Sequence, residues 1–170
     1  MHRFLFLAVL MLGTQCLWAQ KMSQETSRGD IYIGYSLMNG DTLSKASGWE
    51  AALTGNFSDW FGLKVDLGGN YQSSGGVHSH EYNILFGPQI SHHLDKVTLF
   101  GHGLLGVARF GTNVGPSDTS AAWVLGGGAD YELDPRLAIR VGQFDYHGAK
   151  IFSATQKDFR YSAGLVFRFR

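Results

Sequence analysis

The sequence predicts an all-β chain closed into an eight-stranded antiparallel up-and-down transmembrane β-barrel, and three observations lead there. Apolar and polar residues alternate with period two over most of the chain. Charged residues make up only 16%, against about a quarter in soluble domains, yet no apolar stretch after residue 19 is long enough for a membrane helix. The connections between alternating segments also sort into short and long in strict turn.

The first element is a leader. Arg3 precedes the apolar run Phe4 to Leu12 and then Leu17-Trp18-Ala19, which reads as a secretory signal peptide cleaved after Ala19. Residues 20–29 are then a short periplasmic lead-in, and residues 30–169 the barrel. Cys16, the only cysteine, falls inside the leader. Gly13-Thr14-Gln15 before it does not fit the pattern for lipid attachment, so the exported chain is expected to lack both disulfides and thiolate chemistry. Cleavage removes Arg3 and no acid, leaving 13 Lys+Arg against 14 Asp+Glu. That balance excludes nucleic acid as a partner on electrostatic grounds.

Alternation is clearest at the carboxyl end. Phe159, Tyr161, Ala163, Leu165, Phe167 and Phe169 share one face, and Arg160, Ser162, Gly164, Val166 and Arg168 the other. Residues 60–71 oppose Phe61, Leu63, Val65, Leu67 and Tyr71 to Lys64, Asp66, Gly68 and Asn70. Residues 48–57 oppose Trp49, Ala51, Leu53 and Phe57 to Glu50, Ala52, Thr54 and Asn56. The same template gives eight strands, at 30–38, 47–57, 60–71, 80–93, 97–110, 120–133, 136–146 and 158–169, each about as long as a tilted membrane strand. Gly126-Gly127-Gly128 and similar stretches disfavour helix. Segments 97–110 and 136–146 alternate least well, because Phe100 and Leu104 oppose Leu99 and Leu105 and Gln143 breaks the outer face. A bulge or a wrong register is expected there.

Tight links at Ser58-Asp59, Leu94-Asp95-Lys96 and Asp134-Pro135 alternate with longer ones at 39–46, 72–79, 111–119 and 147–157. Periplasmic turns and extracellular loops sort this way in bacterial outer-membrane barrels, and an even strand number puts both termini on the turn side. The expected location is the outer membrane of a Gram-negative cell, reached through the periplasm.

An Arg or Lys facing hydrocarbon costs about 2–4 kcal/mol at the bilayer midplane, so the charged face must line the lumen. Glu50, Lys64, Asp66, Asp130, Glu132, Arg140, Arg160 and Arg168 become an interior ion-pair network. Asp130 and Arg140 flank the Asp134-Pro135 turn symmetrically and should pair across strands. Eight strands enclose room only for side chains, so the lumen is expected to be a polar plug. Phe57, Trp60, Phe61, Tyr131, Phe167 and Phe169 fall at the turn side, and Trp49, Tyr71, Tyr82, Phe159 and Tyr161 toward the loops. These are two aromatic girdles.

Gly48-Trp49-Glu50-Ala51, Phe86-Gly87-Pro88, Gly126-Gly127-Gly128-Ala129-Asp130 and the ending Ser162-Ala163-Gly164-Leu165-Val166-Phe167-Arg168-Phe169 resemble outer-membrane β-barrels of the outer membrane protein A transmembrane-domain type. The resemblance covers roughly residues 28–170. It implies that Phe167 and Phe169 belong to the terminal signal read by the barrel assembly machinery, although Arg170 follows where that family ends on the aromatic. Outer-membrane lipid is the other implied partner, and the chain is expected to be monomeric.

Sites for chemistry are sparse. His78 and His80 with Glu81, and His92 with His93, are the only metal-like spacings, and no metal or other cofactor is expected from them. A lipid-modifying hydrolase would need Ser, His and acid together near the outer rim. The ingredients there are His78, Ser79, Glu81, His147 and Ser153, with no His-x-Ser pattern on a strand. The expected function is a structural or surface-contact role without catalysis. A lipid-modifying enzyme and a narrow channel for small solutes are the alternatives.

Overall fold

The computed structural model describes residues 27–41, 43–151 and 154–169. The expected leader and its cleavage after Ala19, Ser153 of the hydrolase set, and Arg170 lie outside the described residues.

Period-two alternation becomes eight strands: β1 (Gly29–Gly40), β2 (Ala46–Asn56), β3 (Phe61–Ser74), β4 (Val77–Leu94), β5 (Val97–Thr112), β6 (Asp118–Asp134), β7 (Leu137–Ile151) and β8 (Ala154–Phe169). Each pairs antiparallel with the next, and β1 closes on β8 from Gly29↔Phe169 to Gly40↔Asp158, so the sheet has no free edge. Closure satisfies the wall's ladder hydrogen bonds internally, the condition for a sheet in hydrocarbon.

Alternation also sets the faces. Outward, Ile33 is 57% exposed, Leu125 64% and Leu105 71%; inward, Glu50, Lys64 and Asp66 are wholly buried. A soluble protein distributes these classes the other way round.

The longer connections expected at 72–79 and 147–157 are corrected. Both are mostly strand. Registers Ser74↔Val77 and Ile151↔Ala154 carry the β3–β4 and β7–β8 ladders far past the wall's middle. The β3–β4 link is only Gly75-Gly76, both at positive φ (58° and 83°), as a two-residue hairpin turn of the primed type requires. Strand ladders win here because a Ser-Ser-Gly-Gly tip needs no loop to turn. Strands also consume the ends of the links expected at 39–46 and 111–119.

Of the two segments where a bulge or a wrong register is expected, 136–146 carries a bulge and 97–110 pairs without one. β5 pairs in unbroken register with β6 from Val97↔Tyr131 to Phe110↔Asp118. Phe100 and Leu104 turn inward because the lumen has an apolar part, Leu104 packing with Leu85, Ala108, Ala122 and Val124. In β7 the register shifts between Ala129↔Gly142 and Asp130↔Arg140, and again between Arg140↔Gly164 and Gln143↔Ser162. One extra residue at Val141-Gly142 reverses the parity of the rest of β7, so Gln143, Asp145 and His147 face the axis.

Candidate functional site: the lumen

The site grows from the inward teeth of β2, β3, β7 and β8. Small residues on neighbouring teeth make room for it. A Cβ added at Gly126 would collide with the Asp145 carboxylate, and one at Gly68 would come within 3.0 Å of Arg160 Nη1 and 2.9 Å of the Asn83 amide. Glycine at these positions lets long charged side chains cross a lumen only wide enough for side chains.

Arg160 lies at the centre. Its Nη2 is 2.7 Å from Asp145 Oδ2, 3.1 Å from Asp66 Oδ1 and 3.4 Å from Glu50 Oε1. Lys64 Nζ lies 3.1 Å from Asp66 Oδ2 and 3.7 Å from Glu50 Oε1. The Gln143 amide donates to Glu50 Oε1 and to Asp145 Oδ2, each at 2.7 Å. Its carbonyl oxygen accepts from Arg140 Nη1 at 2.6 Å and from Lys64 Nζ at 3.5 Å. His102 Nε2 is 3.0 Å from Asp145 Oδ1. Lys64 on β3 and Gln143 on β7 belong to opposite walls of an eight-strand ring, so these bonds tie the lumen across its diameter.

Below this centre, Arg140 Nε donates to Asp130 Oδ1 at 2.8 Å and Nη2 to Asp130 Oδ2 at 3.1 Å, a bidentate pair between cross-strand neighbours. The Arg140 guanidinium carbon lies 4.2 Å from the Tyr32 ring centroid and 4.1 Å from that of Phe100, a cation held between two aromatic rings. Nearest the turns, Arg168 donates to Glu132 Oε2 at 3.3 Å and to Thr98 Oγ1 at 3.1 Å, in a half-buried pair.

All eight charged residues expected inside therefore carry ion pairs to one another or to Asp145. They fall into three groups: Glu50, Lys64, Asp66 and Arg160; Asp130 and Arg140; Glu132 and Arg168. Gln143 and Asp145 join the first two groups, and sequence reasoning missed both, along with His102. Their signal was the polar Gln143 interrupting an apolar face, which marks the parity change.

His78 Nδ1 meets Ser73 Oγ at 2.7 Å on the exposed β3–β4 hairpin, while Glu81 and His147 are buried in the lumen. Among the described residues, no group of three or more His, Cys, Asp or Glu is placed to hold a metal ion. The network offers charge neutralisation and hydrogen bonding across the barrel axis. Several further atoms there, including Asn70 Nδ2, His102 Nδ1 and Arg160 Nη1, are buried without a hydrogen-bond partner among the described residues.

No family model matches the chain, and no curated protein does. Solved structures do. Neisserial surface protein A aligns with a TM-score of 0.71 at 14% identity, over 86% of this chain and 100% of that one. Ail, the attachment invasion locus protein of Yersinia pestis, aligns at 0.55 and 19% identity, over 84% and 99%. The N-terminal barrel domain of Pseudomonas aeruginosa OprF aligns at 0.54 and 10% identity, over 84% and 100%. The fold is the eight-stranded outer-membrane barrel.

On that fold the eleven girdle aromatics face outward or lie at the strand ends. Phe57, Trp60, Tyr131, Phe167 and Phe169 are exposed at the turn side, where Trp60 and Phe57 pack on Phe61 at ring separations of 5.7 and 6.5 Å. Toward the loops, Trp49 Nε1 donates to Tyr71 Oη at 3.5 Å, and Tyr71 Oη to Tyr82 Oη at 3.1 Å. Phe159 and Tyr161 lie on the same side of the barrel, joined by Trp123, Phe144 and Tyr146, which the sequence reading did not single out. The ring pairs are Trp123–Tyr146 at 5.6 Å, Tyr146–Phe159 at 4.9 Å and Phe144–Tyr161 at 5.1 Å.

Proposed function

We propose that this chain is an integral protein of the outer membrane whose lumen is closed by its ion-pair network and which serves a structural or surface-contact role without catalysis. The observation that carries the reading is the bridge of Lys64, Glu50, Gln143, Asp145 and Arg160 from wall to wall, every member buried. A water column would have to break several charge-assisted bonds at once, and each is costly to leave unmade.

Membrane residence is supported by the outward apolar wall and the two aromatic bands. Outer-membrane lipid is then the solvent of that wall, and a monomer suffices because the closed sheet leaves no edge to pair. Phe167 and Phe169 serve as the terminal signal for the barrel assembly machinery, a reading supported by their outward exposure on the last strand beside β1. The tight hairpins at the far end from the termini offer small surfaces for contact outside the cell.

Two measurements test the reading. The protein should fractionate with the outer membrane and migrate differently in unheated and boiled detergent samples. In planar bilayers the refolded barrel should show no unitary conductance. Steady ion currents from pure protein would sink the closed lumen, and recovery in the soluble periplasmic fraction would sink the location.

A further inference from the structure

The wall carries an outward trough of about 590 Å³ toward the loop side, within the size range of small-molecule sites. Two register rows build it. Leu125, Tyr146 and Phe159 run across β6, β7 and β8, and Phe144, Tyr161 and Leu37 run across β7, β8 and β1. Both rows belong to the lipid-facing set, with Phe144 69% and Phe159 65% exposed. Inward residues such as Asp145 and Arg160 also border the trough; with side chains fully buried, they contribute main chain.

The end nearest the loops is polar and cationic. Asn39 and Lys45 line it, and Lys157 occupies the next outward tooth of β8 beyond Phe159. Lys45 is fixed at positive φ (60°), and its backbone amide donates to Asn39 Oδ1 at 3.3 Å. Asp41, the neighbouring acid, is occupied by the Lys157 main chain: Lys157 N donates to Asp41 Oδ2 at 3.2 Å. Among the described residues, neither ammonium has a carboxylate within 4.0 Å, whereas the lumen cations are all paired.

An apolar trough on the outward wall with two cations unpaired among the described residues at its loop-side end complements one kind of molecule. We propose that the trough binds an acyl chain of an outer-leaflet lipid whose phosphate-bearing headgroup meets Lys45 and Lys157. This rests on the membrane reading above, which makes the loop side the outer interface. Acyl carbons fill the space between the aromatic walls, and the lysines supply the electrostatic preference for a net-anionic phosphate headgroup over a neutral or zwitterionic one.

The test uses Trp123, whose ring lies 5.6 Å from Tyr146 of the trough. Trp18, Trp49 and Trp60 are replaced by Phe, leaving one fluorophore. The protein is refolded into phosphatidylcholine vesicles doped with a brominated-chain lipid, either phosphatidic acid or phosphatidylcholine. Selective binding predicts stronger quenching by phosphatidic acid, with an apparent preference of about thirtyfold, the order expected from two lysines at a membrane surface. The preference should disappear in K45Q/K157Q and weaken in F144A, while folding, read by heat-dependent gel mobility, is unchanged. Equal quenching by the two lipids overturns this inference and leaves the membrane reading intact. No quenching by either overturns both. A trough covered by a second copy would give a dimer mass in detergent and also overturn it.

Discussion

Replacing Arg160 by Met removes the one cation that touches three carboxylates, at 2.7, 3.1 and 3.4 Å, all fully buried. At an effective dielectric of about 20, each carboxylate attracts the guanidinium by roughly 5–6 kcal/mol, against a desolvation cost of several kcal/mol per ion already incurred on folding. With Arg160 gone, Glu50, Asp66 and Asp145 keep only Lys64, Gln143 and His102 as partners. The expected loss is about 3–5 kcal/mol, the usual consequence of stranding a buried charge. With a urea slope of about 1–3 kcal/mol/M, the unfolding midpoint in vesicles should fall by roughly 1 M or more, followed by tryptophan fluorescence and gel mobility. A cycle with D145N isolates the pair. D145N/R160M should be less unstable than the sum of its singles by about 0.5–3 kcal/mol. Additivity within about 0.5 kcal/mol, or a loss in R160M under about 1 kcal/mol, would refute the network as the bond across the lumen.

Three further outcomes follow from the same geometry. Leu53, outward on β2 between Ile31 and Val65, should tolerate Arg only at a cost of about 2–4 kcal/mol in vesicles; a cost near zero would deny that this face meets hydrocarbon. Tyr161 donates its hydroxyl to the carbonyl of Val141 at the bulge, 3.1 Å away, so Y161F should lose about 0.5–1.5 kcal/mol in urea unfolding, and no loss would leave that carbonyl satisfied by something else. F169A should lower the assembled fraction in cells by heat-modifiability while refolding in detergent stays at the wild-type yield. An equal loss in both would assign Phe169 to barrel stability rather than to assembly.

Fold and faces were legible because period two is read directly from residues such as Phe159 to Phe169, and a one-step slip would put Arg160 and Arg168 into lipid. Strand ends were less so. The hydrophobic pattern stops where the bilayer does, so nothing in Gln72 to Ser79 announces that the ladder continues to a two-glycine turn. The pairing of Asp130 with Arg140 was expected from symmetry about a turn; a register shift between Glu132 and Asp134 lies between that turn and the pair, and the one at Val141-Gly142 lies beyond it. Contacts across the lumen, such as Glu50 with Gln143 at a separation of 93 residues, have no local signature at all.

The bulge links the two levels. Without the extra residue, β7 would continue the parity of Arg140, turning Gln143 and Asp145 toward lipid and Phe144 and Tyr146 toward the axis. Two bulky rings would then compete for a lumen that already holds Phe100 and Tyr32, and Arg160 would lose its shortest ion pair. The unpaired residue costs a ladder bond, which Tyr161 offsets from outside. In exchange, one face of β7 supplies an amide and a carboxylate to the axis, and the other supplies Phe144 and Tyr146 to the trough. The irregularity at Val141-Gly142 therefore positions both the axial network and the outward trough, and a change there should disturb the two together.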